Sequence, residues 1–115
     1  MMPFSGEFVV QKYLFEVDYS QAGSAGLIEA GGTNRKDTVG NAIRALGGTM
    51  EAFYFTFGIR DAVVIADLPD HAAAVALSLA VSATGSVSYK TTVLLTPEEV
   101  DEASKKSVSY SPPGS

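Results

Sequence analysis

Cysteine is absent from the 115 residues, which excludes disulfide frameworks, thiol nucleophiles and thiolate metal sites together. Histidine occurs once, so zinc sites built on His pairs go as well. Basic residues are scarce: 8 Lys+Arg stand against 13 Asp+Glu, a formal charge of −5. That sign argues against a nucleic-acid binder or a protein held on an anionic membrane, since both need basic patches. Long apolar runs are missing too. The most apolar stretch, Ala72 to Ala83, falls well short of the roughly 20 apolar residues of a spanning helix. Met1 to Val10 has neither the basic start nor the apolar run of a signal peptide, and the expectation is a cytoplasmic protein.

What is present reads as one folded domain. Hydrophobic residues make up 46% and charged residues 18%, which is globular and not disordered, and the length is too short for two ordinary domains. Residues 1–10 hold Pro3, Ser5 and Gly6 and read as an N-terminal arm. Residues 11–106 carry the periodic segments, and 107–115 form a Ser- and Pro-rich tail expected to be disordered.

From Lys12 to Tyr19 the residues alternate, with Tyr13, Phe15, Val17 and Tyr19 on one face, which predicts a strand. Ser20 to Ala30 reads as a helix weakened by Gly23 and Gly26. Gly31-Gly32 breaks it, and Thr33 offers an N-cap for a second helix with Val39, Ile43 and Leu46 at helical spacing. Gly47-Gly48 supplies its left-handed stop. Thr49 to Phe57 predicts a strand with Phe53, Phe55 and Phe57 sharing a face with Glu51, and Met50, Ala52 and Tyr54 opposite. Ala62 to Ala66 is apolar on both faces, as suits a strand in the middle of a sheet.

Leu68-Pro69-Asp70 starts a helix reaching about Thr84, with Pro in its first turn and Asp70 at the positive end of the dipole. Its body is apolar on all sides, which predicts deep burial. Val87 to Leu95 reads as a fourth strand. Thr96-Pro97-Glu98-Glu99 then has the form of a capping box opening a short helix that ends in Lys105-Lys106.

The order strand, helix, strand, strand, helix, strand is the ferredoxin-like split βαβ arrangement: an α+β fold, βαββαβ, with a four-stranded antiparallel sheet, helices on one face and an extra C-terminal helix. One helical layer leaves the other sheet face bare, and that face also carries apolar side chains. Exposed apolar surface of that extent marks an interface, so the expectation is a homodimer or larger, paired sheet to sheet.

Leu46-Gly47-Gly48, Glu51-Ala52-Phe53-Tyr54-Phe55, Gly58-Ile59-Arg60-Asp61, Leu68-Pro69-Asp70, Ala76-Leu77-Ser78-Leu79-Ala80 and Leu94-Leu95-Thr96-Pro97-Glu98-Glu99 together resemble the GYD domain family, from about Tyr13 to Ala103. The resemblance implies a small protein of the dimeric α+β barrel type. It implies no particular activity, because related barrels include monooxygenases, isomerases, haem proteins and ligand sensors. The family's Gly, Tyr and Asp cluster between the second and third strands. Here Gly58 and Asp61 are kept, but Arg60 stands where the Tyr is expected.

Candidate site residues are Tyr13, Glu51, Tyr54, Phe55, Arg60, Asp61 and His71. His71, with its near-neutral intrinsic pKa, could act as general base or axial ligand, but its place at a helix entrance equally suits local bonding. Arg60 could clamp an anion, while Asp61 suits either a binding role or a bond to nearby turn amides. Glu51, if covered beside Phe53 and Phe55, would have a raised pKa suited to proton transfer; at an edge it would simply reach water. Tyr13, Tyr54 and Phe55 belong with Phe15, Phe53, Phe57 and Tyr89 to an aromatic set that could line a pocket or form plain core.

No phosphate loop, nucleophile elbow or calcium loop is present, and Glu98, Glu99, Asp101 and Glu102 read as a solvated helix start. No metal and no cofactor are expected. Three functions remain: a homo-oligomer binding a small apolar or aromatic ligand, a cofactor-free monooxygenase- or isomerase-like enzyme, and an assembly protein without a pocket.

Overall fold

Strand β1, Gln11–Tyr19, sits where its alternation demands. Tyr13, Phe15 and Val17 are buried beneath helices, while Leu14, Glu16 and Asp18 lie on the opposite face. The computed structural model describes residues 10–56 and 58–114. The N-terminal arm before Val10, the place of Phe57 and the final Ser115 lie outside the described residues.

After β1 come helices α1, Gln21–Ala30, and α2, Gly32–Ala45, then strands β2, Thr49–Phe55, and β3, Ala62–Leu68. Helix α3, His71–Ser82, strand β4, Val87–Leu94, and helix α4, Pro97–Ser104, complete the chain. The strands form one antiparallel sheet in the order β2-β3-β1-β4. That order is the one a ferredoxin-like split βαβ fold produces. β3, apolar on both faces, lies inside the sheet as its composition requires. The core is one layer between sheet and helices, joining Tyr13, Phe15, Val64 and Leu68 to Ile43 of α2 and Leu77 of α3.

Local chemistry sets the helix ends. Ser20 caps α1 by accepting from the Gly23 amide at 3.1 Å. α2 ends in a Schellman motif: the amide of Gly47, at φ +85°, donates to Arg44 O, and that of Gly48 to Ile43 O, both at 2.9 Å. Thr96 and Glu99 form the reciprocal capping box of α4. No helix of the described residues is long and apolar enough to cross a membrane.

Four expectations are corrected. α2 opens at Gly32 with Gly31 as its cap, because Gly31 at φ +91° turns the chain two residues before Thr33 could. Pro69 is not in the first turn of α3: β3 runs on to Leu68, Pro69 ends it, and Asp70 is the N-cap, accepting from the Ala73 amide at 2.8 Å. α3 is not buried all round, because a single sheet face meets only one side of a helix. Ala73, Ala74 and Leu77 face the core, while Val75 and Leu79 are 54% and 66% exposed.

The fourth correction concerns β2. Its pairing with β3 shifts between Met50 and Ala52, with Met50 opposite Ala66 and Ala52 opposite Ile65. This bulge turns Met50 in towards Gly40 of α2, on the face of Phe53 and Phe55, and sends Glu51 to the open face.

Candidate functional site

Between the sheet and helices α2 and α3 the core does not close completely. A cavity of about 90 Å³ remains. Phe15 and Val64 form its floor, Phe53 one wall, and Leu77 and Val81 of α3 its cover. Phe15 and Tyr89 meet edge to face, with ring centroids 5.6 Å apart. Four of its lining residues carry polar groups: Tyr19 of β1, Arg35 and Thr38 of α2, and Tyr89 of β4. The guanidinium of Arg35 lies over the Tyr19 ring at 6.0 Å, a cation–π arrangement.

Arg35 Nε and Tyr89 Oη are both sealed from solvent, and neither has a hydrogen-bond partner among the described residues. Burial pushes the Tyr89 phenol above the usual tyrosine value, while the neighbouring Ser78 hydroxyl, outside hydrogen-bonding geometry, partly offsets this. The phenol therefore stays protonated near neutral pH and is available as a donor.

The candidates from sequence fall into separate places. Tyr13 and His71 do come together: Tyr13 Oη lies 2.7 Å from His71 Nδ1 and donates to, or receives from, that ring according to its tautomer. Gln11 Oε1 is 3.1 Å from the same hydroxyl. Tyr13 is buried and His71 exposed, so the pair ties the entrance of α3 to β1. Burial, and then the charge of Asp70, raise the Tyr13 pKa.

Glu51 pairs on the open face with Lys12, whose ammonium is also 2.9 Å from Asp67. Hydrogen bonds to Glu51 and then Asp67 raise the Lys12 pKa. The expected cover by Phe53 and Phe55 is absent at Glu51 because of the bulge. Tyr54 is 68% exposed on the same open face, opposite Val63. Phe55 packs edge to face on Phe53 at 5.1 Å and lies close to Gly32.

Arg60 is engaged within its own chain, with Nη1 2.8 Å from Asp18 Oδ2 and Nε 3.8 Å from Glu16 Oε2. Asp61 accepts from the Tyr19 amide at 2.9 Å, and its own amide donates to Val17 O at 2.9 Å. It stitches the β2–β3 connection to the end of β1. None of the seven candidates lines the cavity. Among the described residues, no three His, Asp or Glu side chains are grouped to hold a metal ion.

Sequence reasoning missed Arg35. A signal was there: a cation near the start of a helix opposes the macrodipole, and this helix has no acidic residue in its first turn. Tyr89 was visible as an aromatic on an apolar strand face, but its unpartnered hydroxyl was not.

These features define the class: a split βαβ protein of the α+β type, with one helix-covered sheet face and an apolar cavity beneath the helices. The model of the GYD domain family matches residues 13–104, and the chain belongs to that family. Comparison with curated proteins and with solved structures gives no significant match.

Proposed function

We propose that the protein is a homodimeric small-molecule-binding protein, each subunit taking a small apolar or aromatic ligand between its sheet and its helices. The observation that carries this reading is the apolar cavity between the sheet and helices α2 and α3. Native interiors pack closely, so space of that kind lined by Phe, Val and Leu is a natural ligand site.

Dimerisation is supported by the open sheet face. Leu14, Val63 and Ile65 lie half-exposed at its centre beside exposed Tyr54. Lys12 with Glu51 and Asp67, and Arg60 with Glu16 and Asp18, flank them with charges already paired. Pairing lowers the cost of covering such charges when a second sheet packs on this face. The enzyme reading required Glu51, Tyr54, Arg60 or His71 in the cavity, and none lines it.

Native mass spectrometry tests the assembly: a dimer is expected, and a monomer across the concentration range refutes the sheet-to-sheet pairing. Titration with isoamyl alcohol, followed by amide chemical shifts, tests the cavity. Saturable shifts at Val64, Leu77 and Val81 are expected, and their absence refutes the ligand site.

A further inference from the structure

The two sealed polar atoms of the cavity narrow the ligand beyond "apolar". Leaving a buried donor or acceptor without a partner costs far more than a hydrogen bond returns, and native cores hold few such groups. Here both such atoms belong to residues that line one cavity. Arg35 cannot escape by losing its proton, because a guanidinium stays charged in any protein setting. Its stacking over Tyr19 holds the group near the end of β1, where a cation also gains nothing from the helix dipole. What the site lacks is an anionic acceptor. A guanidinium edge presents its Nε–H and a neighbouring N–H in parallel, matched to the two oxygens of a carboxylate.

The space sets the size. A cavity of about 90 Å³ is smaller than the ~150 Å³ apolar cavity that admits benzene. The apolar space therefore takes a body of only a few carbon atoms. We propose that the ligand is a small monocarboxylic acid with a compact aliphatic body, its carboxylate held by Arg35 and one of its oxygens accepting from the Tyr89 hydroxyl. This rests on reading the cavity as a ligand site.

Isovalerate and isoamyl alcohol share a carbon skeleton and differ in the carboxylate, so parallel titrations followed by amide shifts separate the two claims. Isovalerate should bind at least about tenfold more tightly than the alcohol, the scale of a charge-assisted bond to a buried group. Arg35→Gln should erase that preference while leaving alcohol binding in place. Tyr89→Phe removes a single oxygen from a retained ring and should weaken isovalerate roughly three- to tenfold, the worth of one hydrogen bond. It keeps the proposal testable if the Arg35 variant does not fold.

Equal binding of acid and alcohol would leave the cavity site standing and overturn the acid. Binding of neither overturns both, and leaves the two atoms to be met by water. Isovalerate binding that both variants retain at full strength also overturns the proposal.

Discussion

Tyr13 places a phenol in the core with two side-chain neighbours, His71 and Gln11, and the rest of its ring stacked near Phe15. Replacing it with Phe keeps the packing and removes the hydroxyl. Because exposed His71 can turn to water, Tyr13→Phe should cost about 1 kcal/mol, read as a lower urea midpoint at unchanged slope. The raised pKa of Tyr13 has a signed consequence. The folded state holds the phenolic proton more tightly than the unfolded chain, so this contribution is complete below the ordinary tyrosine value of 10.0. It is lost as pH rises through the folded value. Tyr89 and Lys12 are raised too and act in the same direction. Stability should therefore fall above about pH 10, and Tyr13→Phe should make that fall shallower without abolishing it. Equilibrium unfolding at stepped alkaline pH reads both.

Helix α1 shows how one residue type takes opposite roles on one element. A Cβ at Gly23 would stand 2.1 Å from the carbonyl oxygen of Ser86, while a Cβ at Gly26 meets nothing within 4 Å. Gly23 lets α1 lie against the start of β4, where the Ser20 amide also donates to Ser86 O at 2.9 Å. Gly23→Ala should destabilise by about 1–3 kcal/mol through the forced backbone shift, whereas Gly26→Ala should stabilise by up to about 1 kcal/mol from helix propensity. Thermal unfolding of the two variants in parallel separates the signs. The sequence displayed both glycines as equal weak points in a helix, because propensity is local and the Ser86 carbonyl arrives from more than sixty residues away. β2 carries the same lesson. Its alternation was legible, but the bulge between Met50 and Ala52 moved Glu51 to the open face and Met50 to the core. Period counting has no means of registering one extra residue in a strand. Two helix ends fared better: Thr96 with Glu99, and Gly47-Gly48, act as read, since each bond closes within a few residues.

For the whole molecule, the proposed sheet-to-sheet pairing rests on the open face, where Leu14, Val63 and Ile65 lie half-exposed. Ile65→Glu puts a charge at the centre of that face, on a strand whose core-facing neighbours Val64 and Ala66 are untouched. If the proposed dimer forms through this face, the variant should sediment as a folded monomer where the parent is dimeric, with an unchanged circular dichroism spectrum. A variant that remains dimeric would place the interface elsewhere. The sequence by itself determined the order of elements, the central place of β3, the burial of Tyr13, Phe15 and Val17, and the family. These follow from periodicity and end signals, which act between near neighbours in the chain. Only the tertiary structure decided the cavity, the lack among the described residues of a hydrogen-bond partner for Arg35 Nε and Tyr89 Oη, the scattering of the seven candidate residues and the solvent-facing side of α3. Each of these depends on which groups fill the space between elements distant in sequence, and packing is a property of three dimensions.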